Sequence, residues 1–156
     1  MPDFSSLLKK EAGKAKKPAT LPAGDYPGII KSHEYGDQNR NKTPYVRFNV
    51  GLTDWPASLG DSWEEADIST GEVRTVARSE VDLSKRSMRR DFYLTDDAMF
   101  RLDAFLRDLG VDMAGHDYES IIPTLTGTPV LVTVEQYVNQ QSNEMGAQVK
   151  QLSKLA

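Results

Sequence analysis

The chain contains no cysteine, so disulfides, thiolate nucleophiles and thiolate metal sites are all excluded, a usage that fits a reducing compartment. Histidine is nearly as scarce: His33 and His116 stand alone, with no pair at metal-ligand spacing. Long apolar runs are missing too. No stretch approaches the ~20 residues of a membrane span, and the N-terminus lacks the apolar run of a secretory signal, so a cytoplasmic location is expected. The glycines form neither a phosphate-cradling loop nor a dinucleotide-binding pattern. An enzyme is therefore not expected, and no catalytic residue, metal or cofactor is assigned.

What the chain does have is sorted charge. Across 156 residues the net charge is only -4, but residues 1–17 carry Lys9, Lys10, Lys14, Lys16 and Lys17 against Asp3 and Glu11. Residues 54–72 carry Asp54, Asp61, Glu64, Glu65, Asp67 and Glu72 and no base. Residues 74–90 then carry Arg74, Arg78, Lys85, Arg86, Arg89 and Arg90 against Glu80 and Asp82. Residues 1–20 read as a mobile basic arm, either solubilising the chain or adding phosphate contacts and docking a partner through Phe4 and Leu8. Residues 21–156 read as a single domain, with residues 55–87 as a charged insertion.

Hydrophobic periodicity places the elements of that domain. A first strand runs from about Tyr26 to Tyr35, followed by the turn-rich loop Gly36 to Pro44. From Tyr45 to Leu52, Val46, Phe48, Val50 and Leu52 alternate with Tyr45, Arg47, Asn49 and Gly51, giving a core face and an outer face. In the insertion, Ser69-Thr70-Gly71 can turn a hairpin between Ile68 and Val73, and Trp55 and Trp63 either pack onto the domain or offer stacking surfaces. Met88 to Leu94 is a third strand, in which Arg90 breaks the alternation and signals an edge or a bulge.

One long helix is expected from Thr95 to Gly110. Thr95 is the candidate N-cap, Asp96 and Asp97 lie in the first turn, Arg107 in the last, and Gly110 provides the left-handed stop. Ala98, Leu102, Phe105, Leu106 and Leu109 form its apolar stripe. After an irregular connector with one broken turn around Pro123, Val130 to Val138 is a fourth strand. Asn139 to Gly146 is a polar loop, and Ala147 to Leu152 a last strand. Three strands, a helix and two strands is the order of an OB-fold. The expected class is mainly β: an OB-fold-like five-stranded barrel, one helix between strands 3 and 4, and the charged insertion between strands 2 and 3. An unclosed α+β sheet is the rival.

The segments LPAGDYPGIIKSHEY, TPYVRFNV, RRDFYLTDDAMFRLDAFLRDLGVD and LTGTPVLVTVEQ, in that order, resemble the OB-fold single-stranded-DNA-binding proteins of tailed bacteriophages. The resemblance spans about Leu21 to Leu152 and rests on the FYLTDDA strand-to-helix junction and the GTPVLVTV strand. It implies sequence-independent binding of single-stranded DNA, in host cytoplasm, beside replication or recombination proteins. The C-terminus, QLSKLA, departs from the acidic tail through which many such proteins recruit partners.

Stacking aromatics and phosphate-following cations are what such binding requires. On the expected outer face Tyr45 and Arg47 neighbour Arg89 and Tyr93, with Arg40 and Lys42 in the first loop and Tyr35 at the base. Tyr137 and Lys150 lie near the last hairpin, and Lys31 and His33 farther along strand one. Each residue alone is an ordinary surface choice; coincidence on adjacent strands is the signal. Arg86, Arg89 and Arg90 could instead pair with the acids of the insertion. The net charge keeps a second class open, an OB-like adaptor that recruits a protein through the acidic insertion or the arm and binds no nucleic acid.

Overall fold

The computed structural model describes residues 4–9, 12, 18–68, 70–142 and 144–155, with nothing assigned to the side chain of Leu7. In chain order the elements are α1 (Phe4–Leu8), β1 (Gly24–Gly36), β2 (Tyr45–Leu52), β3 (Ser62–Ala66), β4 (Val73–Ala77), β5 (Ser87–Tyr93), α2 (Met99–Asp108), α3 (Tyr118–Ile121), β6 (Pro129–Asn139) and β7 (Glu144–Lys154). Five strands form one antiparallel sheet in the order β5-β2-β1-β6-β7, while β3 and β4 make a separate hairpin. The sheet curls until β5 and β7 lie near each other, but no ladder joins them among the described residues.

Period-two alternation decides which faces meet. Val46, Phe48, Val50 and Leu52 of β2 and Val130, Val132 and Val134 of β6 all point into one core. Onto this core α2 lays Leu102, Phe105 and Leu106, all buried, each side chain contributing about 1.5–3 kcal/mol by leaving water. The contact is aromatic at its centre: Phe92 and Phe105 stack at 5.2 Å, and Phe48 meets Phe92 edge-on at 5.9 Å.

Several expectations shift. The helix starts at Met99, not Thr95, because the Thr95 carbonyl accepts from the amides of both Ala98 and Met99 and so closes a turn ahead of it. Asp96 and Asp97 therefore precede the helix, whereas Gly110 ends it with φ +78° as its sequence position implies. The connector's broken turn is α3 running into a 3₁₀ turn at Ile122–Leu125, with Pro at its start. The last hairpin is longer than the alternation suggested, β7 beginning at Glu144 and ending at Lys154. Gln136 to Asn139 are exposed throughout, so both faces of that extension are wet and no alternation marks it.

The insertion contains β3 and β4, turned by residues that include Gly71 at φ +74°; Ser69 lies outside the described residues. Both tryptophans pack inward: Trp55 sits 6.0 Å from buried Tyr26 and 5.4 Å from Trp63. Glu65 anchors the hairpin, accepting from the Thr20 amide at 2.6 Å and pairing with Arg74 at 2.9 Å. Burial pushes the Glu65 carboxyl up, but the Thr20 amide and the Arg74 guanidinium outweigh it and hold the group below its ordinary range. That contribution is present above the ordinary carboxylate range and is lost as pH falls through the lowered value. Thr20 is buried and so belongs to the domain, not the arm. Of the arm's lysines, Lys10, Lys14, Lys16 and Lys17 fall outside the described residues, while Lys9 follows α1.

Candidate nucleic-acid interface

Cross-strand partners share a face, so the register of β1, β2 and β5 defines the outer surface residue by residue. Three rows cross it: Gly36–Tyr45–Tyr93, then Glu34–Arg47–Asp91, then Ser32–Asn49–Arg89. The structure therefore brings Tyr45, Arg47, Arg89 and Tyr93 onto one face of adjacent strands, as the alternation of β2 and β5 implies.

Their availability differs. Tyr45 is only 5 % exposed; its ring fills the space over Gly36, where a Cβ would come within 2.7 Å of the tyrosine hydroxyl, and the Arg47 guanidinium lies 4.9 Å above it. Tyr45 is thus a covered ring and not an open stacking platform. Arg47 is held in bidentate fashion by Asp91, at 2.8 and 3.1 Å, with Glu34 3.8 Å away and its own side chain 19 % exposed. The hydrogen bond to Asp91 raises the Arg47 pKa further above its already high ordinary value. Its charge is already answered within the protein.

Arg89 and Tyr93, on the edge strand, are open. Tyr93 is 44 % exposed, and Arg89 is exposed opposite Asn49 with no acidic partner among the described residues. Arg86, Arg89 and Arg90 likewise form no ion pair with the acids of the insertion among the described residues. The β1–β2 loop closes this end of the face. Asn39 shapes it, donating to the Thr43 carbonyl at 2.7 Å and accepting from the Thr43 amide at 3.0 Å. Arg40 and Lys42 stand exposed on it, Lys42 at φ +54°. The Leu94 amide donates to the Pro44 carbonyl, which ties the loop's end to the end of β5.

A β-bulge at Lys31 alters the reading of β1. Ile30 pairs with Val50 and Ser32 with Asn49, so Lys31 is the extra residue and the alternation changes phase there. His33 and Tyr35 then fall opposite Phe48 and Val46, on the other side of the sheet, their rings 5.5 Å apart and Tyr35 exposed. They do not join the outer face, at whose base Tyr35 is expected, with His33 farther along the strand. Lys31 itself stays on it, its side chain lying over Gly51.

Tyr137 and Lys150 are not brought to the β2–β5 face either. β1 pairs with β2 through Gly28–Gly36 and with β6 through Gly24–Ile29, which places the extended β6–β7 hairpin at the opposite end of β1 from Gly36. There Tyr137 covers Gly146, and Lys150 occupies a second bulge, between the pairs Thr133–Gln151 and Val134–Val149. Sequence reasoning missed the acids among the bases. Asp91 lies between Arg89 and Tyr93 in the same alternation, and that spacing was the available signal.

Among the described residues no cluster of three or more His, Asp or Glu could hold a metal ion, and no helix is long and apolar enough to cross a membrane. Compared with known proteins, the chain matches no family model and no curated sequence.

Proposed function

We propose that the protein is an OB-fold, sequence-independent single-stranded-DNA-binding protein, phage-encoded, that protects DNA intermediates in replication or recombination. The strand order supports this reading. In OB-folds the surface of strands two and three and the loop joining strands one and two hold the oligonucleotide. Here the corresponding elements are β2, β5 and the loop with Arg40 and Lys42. The observation that carries the reading is the presence, on one face of the edge strand, of an exposed stacking ring, Tyr93, and an exposed guanidinium, Arg89, that has no acidic partner among the described residues. Lys31, Arg40 and Lys42 extend the cationic path around the neutralised centre at Arg47.

The test is a fluorescence titration of a labelled oligonucleotide at several salt concentrations. Phosphate contacts release counterions, so log affinity falls with log salt by about 0.7 per contact on single strands. A salt-independent affinity, or equal affinity for duplex, refutes the reading. A second reading, an adaptor without nucleic-acid binding, is favoured by the β3–β4 hairpin, where Glu64 and Glu72 are exposed beside Ile68 and Val73. Absence of oligonucleotide binding at low salt selects it.

A further inference from the structure

The opposite face of β5 lines a groove. Where α2 crosses the gap between the edges of β5 and β7 there is a groove of about 390 Å³, within the range of ligand-binding pockets. Its floor is Phe92, Phe105 and Leu152, all buried, and its rim holds Phe100, 59 % exposed. Two arginines line it. The Arg101 guanidinium lies 5.0 Å over the Phe100 ring, and the Arg90 guanidinium 5.3 Å over Phe92.

Neither arginine has an acidic partner among the described residues, and the Arg90 Nε–H is buried without any hydrogen-bond acceptor. A buried donor left unpaired is a standing penalty of the free protein, which an anion that draws the guanidinium toward it relieves. The one acid in the lining, Asp108, already accepts from the Lys154 amide at 2.6 Å. The groove therefore combines net positive charge with an apolar floor, and its complement is an anionic chain that also carries an apolar side chain.

We infer that this groove binds an acidic peptide segment of a partner protein, an aromatic or aliphatic side chain entering over Phe92 and Phe105 while its carboxylates meet Arg90 and Arg101. A peptide fits better than a nucleic acid on two counts. The apolar floor of Phe92, Phe105 and Leu152 takes an aliphatic or aromatic side chain, which a peptide carries next to its carboxylates and a sugar–phosphate backbone does not. Asp108 also opposes a run of phosphates but tolerates a backbone N–H. This inference is independent of the DNA-binding reading, because Arg89 and Arg90 point to opposite faces of the sheet.

The experiment is fluorescence anisotropy on the full chain with a labelled short peptide of aspartates ending in leucine and phenylalanine. Saturable binding is expected. Weakening of about tenfold or more is expected for Arg101→Gln and for Arg90→Gln, with a smaller loss for Phe100→Ala and for a peptide ending in serine. Arg101 and Phe100 lie on the exposed side of α2, so these variants fold even where Arg90→Gln does not. Oligonucleotide affinity should be unchanged in Arg101→Gln, which separates this groove from the outer face. No saturable peptide binding, undiminished binding in Arg101→Gln, or displacement of the peptide by an oligonucleotide overturns the inference.

Discussion

Two tyrosine–arginine pairs lie side by side on one face of the sheet, and they have opposite fates. On the interior strand β2, Tyr45 and Arg47 are closed: one ring is covered, one charge is answered by Asp91. On the edge strand β5, Arg89 and Tyr93 are open. Residue type and alternation are the same for both pairs. The difference lies in neighbours: β2 has a strand on each side to supply Gly36 and Glu34 from one and Asp91 from the other, while among the described residues β5 is laddered on one side only. Face and availability are thus separate properties, and only the first follows from the period of the sequence.

The sharpest way to break this comparison is to truncate both tyrosines. Tyr45→Ala should lower unfolding free energy by about 3 kcal/mol or more, as for other buried rings, in a urea titration. Tyr93→Ala should leave stability within ~0.5 kcal/mol yet weaken oligonucleotide binding by about 1–3 kcal/mol. Equal stability losses would show that the two rings are equivalent after all. Next in size is Asp91→Asn, which releases Arg47. Oligonucleotide affinity should rise and its salt slope steepen by about 0.7, because one more cation reaches phosphate. A drop in affinity would mean that Asp91 positions Arg47 for binding instead of silencing it. The smallest effect is expected from Arg89→Ala, which should flatten the same slope by about 0.7 with folding unchanged.

Much of the fold was legible because burial is periodic. β2 was readable to its ends since every second residue from Val46 to Leu52 enters the core, and the stripe of α2 was readable through Leu102, Phe105 and Leu106. Legibility failed where water reaches both faces, as in the β6–β7 extension, and where one extra residue changes the phase, as at Lys31. At Arg90 the break in the alternation did mark an edge strand, with no bulge against β2. For the candidate site, the alternation placed Tyr93 and Arg89 on one outward face of β5. Nothing in the alternation of β2 alone could reveal that Asp91 and Glu34 would neutralise Arg47, since ion pairing is decided by tertiary register.

The divided pairing of β1 also bears on the order in which the protein assembles. Its ladder with β2 closes across a short loop after Gly36, whereas its ladder with β6 joins residues as distant as Asp25 and Thr133, whose side chains meet at 2.7 Å across 108 positions. Loop closure of that length is costly and slow, so the two hairpins should form early and their union along Gly24–Ile29 should be the late event. Pulse-labelled hydrogen exchange during refolding checks this. Amides of the β1–β2 ladder should gain protection before those shared by β1 and β6, and simultaneous protection would show a single concerted nucleus.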